Sequence, residues 1–265
     1  MRNFQNLLLL VFAMVFVNSC RVRLEPIQVF SFKEQLQQLF PEADIVAIQT
    51  DSIFEYSYKI TLNQPFDEED FELGYFKQEV YLQHFDEEKP VVLIDRNPKD
   101  DLKISEISQL LNANQVSVIN RFSIDIIPNA FNTVQLASKD VHKIISELRK
   151  IYTGKWISMG ANKNGLFTLN HRATYPWDVE VSIVKNPDLG NLEPKVSEFL
   201  ENNGKKIVYL TDNDQGKSLK IKPHVDVLKI HSEELNFISN LNENDYNTLV
   251  EKLKKWLGYQ VEINN

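Results

Sequence analysis

Residues 155–169, KWISMGANKNGLFTL, decide how the chain is read. KWISM (155–159) is a short apolar run of strand character, GANKNG (160–165) is a turn rich in glycine and asparagine, and Leu166, Phe167 and Leu169 open a helical pattern. Strand, tight turn and helix, in that order, form the setting in which Gly-x-Ser-x-Gly holds a nucleophile at the head of a helix. The central position here carries Asn162, whose neutral amide is no nucleophile. The frame of an active site is therefore expected without its attacking group.

Working outward, residues 134–152 place Val134, Val141, Ile144, Ile145 and Leu148 at helical spacing and lead into the elbow strand. Upstream, residues 54–60 and 75–82 alternate in the strand manner around the acidic turn Asp67-Glu68-Glu69-Asp70, which predicts an antiparallel hairpin. A buried strand at 91–94, a helix at 104–111 and a strand at 116–119 follow. Downstream, strands at 179–184, 207–210 and 225–230 are joined by a helix at 194–200 and closed by a helix at 243–257. This alternation predicts an α/β fold, a mostly parallel sheet with helices on both faces.

A chain of 265 residues with 43% hydrophobic content suits one layered α/β unit. The net charge of −8, with no cluster of lysine and arginine, argues against a nucleic-acid partner. Arg2, the apolar run LLLLVFAMVFV (7–17) and VNSC (17–20) read as a signal peptide that resembles a bacterial lipoprotein lipobox, with Asn18 an imperfect match. Cys20 is the single cysteine, which fits a lipid-attachment residue and excludes an intramolecular disulfide. The expected organisation is a signal peptide over 1–19, an anchor and N-terminal segment over 20–44, and one α/β domain over 45–265. The chain would then be held at a bacterial membrane in the cell envelope by acyl chains, since its acidic balance gives no attraction to anionic lipid. The plainer alternative is a secretory signal with an incidental cysteine and a secreted or periplasmic product.

Several segments carry a family likeness. FKQEVYLQH (76–84), LLNANQ (110–115), IYTGKWIS (151–158), HRATYP (171–176), DVEVS (178–182) and LKKWL (253–257) together resemble the PS-10 serine peptidases, the bacterial tripeptidyl aminopeptidases of the α/β-hydrolase superfamily. The resemblance spans most of the chain from about Tyr56 onward. It implies an α/β-hydrolase fold and an elbow of the form Gly-x-Ser-Lys-Gly-Gly. The family's serine then falls on Asn162, its lysine on Lys163, whose backbone N–H would be of oxyanion-hole type, and a glycine on Asn164. Asparagine tolerates the positive φ of such an elbow, so Asn162 is expected to keep the turn, whereas a side chain at Asn164 is expected to loosen it.

The other departures point the same way. The family histidine falls near Glu234, with His231 three residues upstream, and the acid is expected just after the strand at 207–210, at Asp212 or Asp214. The family's large helical insertion, a lid over the cleft, has as its counterpart only residues 186–194, so the lid is expected to be absent.

Other candidates have ordinary readings. His84, His142, His171, His224 and His231 are dispersed without ligand spacing, so no metal is expected, and nothing calls for a cofactor. Ser158 reads as a packed strand residue rather than a displaced nucleophile, Lys163 as a solvated cation, and the acidic clusters as loop charges. Two functions follow: a catalytically inactive peptidase homologue retained for binding peptide or protein, or a hydrolase of altered mechanism whose nucleophile is Lys163, Ser158 or another residue.

Overall fold

The computed structural model describes residues 30–49, 53–96, 103–187, 194–203, 206–211, 225–229 and 238–258. Contacts divide the chain into the units Met1–Gln35 and Leu36–Asn265. In chain order the elements are α1 (Phe32–Leu39), β1 (Asp44–Ala47), β2 (Tyr56–Pro65), β3 (Tyr75–His84), β4 (Val91–Arg96), α2 (Glu106–Leu111), β5 (Asn114–Ile119), α3 (Val134–Leu148), β6 (Trp156–Ala161), α4 (Asn162–Thr174), β7 (Val181–Lys185), α5 (Pro194–Asn203), β8 (Ile207–Thr211), β9 (Val225–Lys229) and α6 (Glu243–Leu257).

The strands form one nine-stranded sheet in the order β1-β2-β3-β5-β4-β6-β7-β8-β9. β1, β2, β3 and β5 pair antiparallel, and the ladder from β5 through β4 to β9 is parallel throughout. β4 and β5 are buried at every residue, as parallel strands covered on both faces must be. The expected hairpin is present with longer strands, in register from Tyr56↔His84 to Pro65↔Tyr75.

Helices lie on both faces, and the period of two along the strands sorts the side chains between them. Val92, Ile94, Ile157, Met159, Val181, Ile183, Val208 and Leu210 pack with Ile107 and Leu111 of α2 and Leu249, Leu253 and Leu257 of α6. Val184 and Ile207 pack on the opposite side with Leu169 and Ala173 of α4 and Val196 and Phe199 of α5. The helix ends are set locally. Ser105, Thr133 and Asn242 accept from Ser108, Leu136 and Asp245 backbone N–H groups, and Gly258 takes φ 72 to stop α6.

Three sequence expectations shift. α1 and β1 were not foreseen. The helix expected over 134–152 ends at Leu148, after which Lys150 and Ile151 N–H groups bond the Glu147 and Leu148 carbonyls, each at 3.0 Å, in a tightened last turn. Beyond it the chain passes so close to the 88–89 backbone that a Cβ on Gly154 would lie 2.0 Å from the Lys89 carbonyl oxygen. The elbow turn, expected over 160–165, is compressed, because β6 runs to Ala161 and α4 starts at Asn162.

One buried ion pair ties these parts together. Arg121 forks onto Asp140 of α3, with Nε to Oδ2 at 2.7 Å and Nη2 to Oδ1 at 2.8 Å. Its Nη1 donates to the carbonyls of Phe66 (3.2 Å) and Phe131 (2.6 Å), and the guanidinium lies 5.1 Å from the centre of the Phe76 ring. Burial pushes the Asp140 carboxyl up, to about 6, against the pull of Arg121, so at neutral pH both partners are charged. Removing one partner strands a buried charge, so Arg121→Met is expected to destabilise by about 3–5 kcal/mol. In urea titrations Arg121→Met/Asp140→Leu should recover much of that loss, and a single-variant cost below about 1 kcal/mol would contradict the role of the fork.

A second buried contact carries a pH dependence. His84 Nδ1 lies 3.0 Å from the Tyr152 hydroxyl, and burial holds its imidazole below the ordinary 6.5. Because the unfolded chain then takes up the proton first, stability is present above about pH 6.5 and declines as pH falls toward the folded-state value. Asp140, whose folded carboxyl is raised, works in the opposite sense over the same window, so the His84 contribution is read as the difference in urea midpoint between parent and His84→Gln from about pH 7.5 to about 5. That difference should shrink as the pH falls, and a difference that stays constant would remove His84 as a source of pH dependence.

Candidate functional site

The strand order places a topological switch between β4 and β6. From β4 the chain proceeds to β5 on one side, and from β6 it proceeds to β7 on the other. Ligand crevices in open α/β sheets form outside the carboxyl ends of strands at such a point. Asp95 and Arg96 end β4 there, and Asn162 follows the last residue of β6.

Asn162 has φ 52 and is solvent-exposed. Ala161 before it is extended, at φ −123 and ψ 148, so a single left-handed residue reverses the chain from strand to helix. Two glycines permit the close approach. A Cβ on Gly160 would lie 2.4 Å from the Asn164 carbonyl oxygen and from Thr168 Oγ1. One on Gly165 would lie 3.1 Å from the carbonyl oxygens of Gly160 and Lys185.

Asn164 does not loosen the turn, contrary to the expectation. Its Nδ2 donates 3.0 Å to the Asp95 carbonyl and so fastens the start of α4 to the end of β4. A glycine could not make that bond. Ala161, at the N-cap, makes no side-chain capping bond, so the first-turn N–H groups of α4, that of Lys163 included, have no side-chain cap. Lys163 itself is exposed. Ser158 is buried with its Oγ 2.9 Å from Ser182 Oγ, a sheet-internal pair remote from solvent.

Three charged residues at the carboxyl edge were missed. Asp95 and Arg96 are buried, and Lys185, the partner of Ala161 across the β6–β7 ladder, is only 2% exposed. The signal was charge closing an apolar strand, in VVLIDR and VSIVK. Asp212, Asp214, His231, Glu234 and Cys20 lie outside the described residues.

The histidines that were read as dispersed partly converge, away from the elbow. His142 Nδ1 lies 2.9 Å from both carboxylate oxygens of Asp178, and His171 Nε2 lies 3.1 Å from Oδ2. The His142 ring stacks on Tyr175 at 4.1 Å. Arg149 Nη2 donates to the Asp178 carbonyl (2.9 Å), and Glu180 Oε2 accepts from Trp156 N–H (2.7 Å). His171 is nine residues along α4 from Asn162, a rise of about 14 Å, too far to act as a base at the elbow. The cluster instead joins α3, α4 and the segment that leads into β7. Among the described residues no group of three or more His, Cys, Asp or Glu side chains is arranged to hold a metal ion.

Sheet order and elbow together define an α/β-hydrolase fold. The family described as PS-10 peptidase S37 matches residues 33–201, and the chain belongs to that family. Over 161 residues it is 29% identical to the prolyl tri/tetrapeptidyl aminopeptidase of Streptomyces mobaraensis, covering 57% of this chain and 34% of that protein. The chain thus spans about a third of the length of that curated relative. Among solved structures it is similar to Est1E from Butyrivibrio proteoclasticus (11% identity, TM-score 0.49, covering 79% of this chain and 98% of that one). It is also similar to XC6422 from Xanthomonas campestris, described as an α/β serine hydrolase without lid (12% identity, TM-score 0.45, covering 88% and 99%).

The elbow geometry sets a ranking of substitutions. Asn162→Gly should be near neutral in thermal melts, while Asn162→Ala should lose about 1–2 kcal/mol to the left-handed backbone. Gly160→Ala should be worse than either, because its Cβ meets backbone. Equal melting of Asn162→Ala and the parent would mean that the left-handed elbow is not maintained in solution.

Proposed function

We propose that the chain is a catalytically inactive member of the PS-10 peptidase family that binds peptide or protein at the elbow, anchored in the cell envelope through a lipid on Cys20. The observation that carries this reading is Asn162, an amide at φ 52 directly after the central strand β6. An amide both donates and accepts, as a bound peptide's backbone requires, but does not attack a carbonyl. The first-turn N–H groups of α4, without a side-chain cap, favour a carbonyl or carboxylate oxygen of the ligand beside it. In serine hydrolases loss of the nucleophile alone lowers kcat by about 10^6, so turnover at the background rate is the expected state of the parent chain.

Membrane attachment rests on the sequence of residues 1–20. Among the described residues no helix is long and apolar enough to cross a membrane. The competing reading, a hydrolase with a replacement nucleophile, has Lys163 as its nearest side chain, since Ser158 is sealed against Ser182.

The test is a back-substitution. Parent and Asn162→Ser are assayed with a tripeptide reporter bearing a free amino terminus and with an acyl-serine trapping reagent, and peptide binding is followed by calorimetry. Binding without turnover by the parent, with covalent labelling only of Asn162→Ser, is the expected result. Parent turnover that is abolished by Lys163→Ala would overturn the inactive reading.

A further inference from the structure

The tip joining β2 to β3, residues 66–75 (FDEEDFELGY), combines two properties that seldom coexist without a partner. It holds five acidic side chains and no basic one. It also exposes three apolar side chains: Phe71 at 59%, Leu73 at 42% and Tyr75 at 46%. The rings of Phe71 and Tyr75 stack at 6.5 Å, and Leu73 is exposed in the turn between them. Other large exposed apolar residues, such as Val46, Ile126 and Trp177, come from separate segments.

The tip is held in a defined shape. Phe66 N–H bonds the Gly74 carbonyl at 2.9 Å, and Gly74 turns the chain at φ 106. Asp67 and Asp70 carboxylates accept from the backbone N–H groups of Glu69 and Glu72, each at 3.0 Å. Phe66 stacks on Phe76 and Phe131, and its carbonyl accepts from the buried Arg121. Glu68 pairs with Lys139 at 2.7 Å and also with Lys143, both on α3. A surface held this firmly loses little conformational freedom on binding.

Charge selects the occupant. With Glu68 matched by two lysines, Asp67, Glu69, Asp70 and Glu72 remain around the patch, none of them in an ion pair among the described residues. A second copy of a chain of net charge −8 would meet repulsion there, as would an anionic lipid surface. We propose that the 66–75 tip docks a cationic amphipathic segment of a partner protein, its apolar side chains seated on Phe71, Leu73 and Tyr75 and its lysines or arginines facing the surrounding carboxylates. This surface is distinct from the elbow and stands whether or not the elbow binds peptide.

The full chain is titrated by fluorescence anisotropy with a labelled amphipathic lysine/leucine peptide and with its glutamate/leucine counterpart, at low and high salt. Vesicles of phosphatidylcholine, with and without phosphatidylglycerol, are sedimented in parallel. The lysine/leucine peptide should bind saturably and more weakly as salt rises, and the glutamate/leucine peptide should not bind. Phe71→Ser/Leu73→Ser and Glu69→Lys/Glu72→Lys should each weaken binding by about tenfold or more, while Trp177→Ser leaves it unchanged. All of these substitutions are at exposed positions, and unchanged melting temperatures confirm that the fold persists. Absence of binding, or binding indifferent to both double variants, overturns the proposal. Vesicle sedimentation that depends on Phe71 and Leu73 also overturns it, in favour of a lipid surface.

Discussion

The carboxyl edge of this sheet hangs on the guanidinium of Arg121. Its planar fork is satisfied by Asp140 on one side and by the carbonyls of Phe66 and Phe131 on the other, so one side chain links the β2–β3 tip, the loop after β5 and helix α3. Lysine could not do this, because a single ammonium lacks the five fixed donors that meet separate acceptors in one plane. α3 passes the constraint on. Lys139 and Lys143 reach back to Glu68 in the tip, and His142 reaches forward to Asp178, which also engages His171 of α4. The helix that begins at Asn162 is thus linked near its far end, at His171, to the α3 helix that holds the buried pair.

The elbow is maintained by forces unrelated to nucleophilic chemistry. Gly160 and Gly165 supply the clearance, Asn162 the left-handed backbone, and Asn164 a side-chain bond to the end of β4. None of these needs a hydroxyl. Asparagine occupies the left-handed region more readily than serine does, so Asn162 suits the backbone of the turn. A turn built in this way does not depend on the chemistry of its central side chain. Asn164 goes further and adds a tie that a glycine could not make.

Much of the architecture was readable because the sheet interior imposes local patterns. Apolar runs such as VVLI and VSVI belong to strands covered on both faces, and Asn242 and Gly258 mark the ends of α6 by chemistry confined to a few neighbours. Asn162 was readable for the same reason, as a residue suited to positive φ inside a glycine-bounded turn. What escaped was pairing at a distance. Nothing near Arg121 in sequence announces Asp140, and nothing in HRATYP announces that His171 shares Asp178 with His142. Asn164 was misjudged because its partner, the Asp95 carbonyl, lies 69 residues away. α1 was passed over because it falls in the N-terminal segment expected over 20–44, although FKEQLQQL is an amphipathic helical pattern on its own terms, and β1 lies at the end of that segment.

The acidic tip and the elbow share an edge for a topological reason. β3 runs antiparallel to β5, with Val80 opposite Val118 and Gln83 opposite Gln115, so the Tyr75 end of β3 lies toward the carboxyl end of β5. β4 and β6 run parallel to β5, which puts their carboxyl ends, and Asn162, on that same side. Any element that closes over the carboxyl edge therefore comes within range of both. That edge also carries the exposed aromatic and acidic side chains of the 66–75 tip. Apolar surface fixed in place by a buried ion pair and hydrogen-bonded turns, and rimmed by carboxylates, is the kind of surface that favours a cationic amphipathic complement.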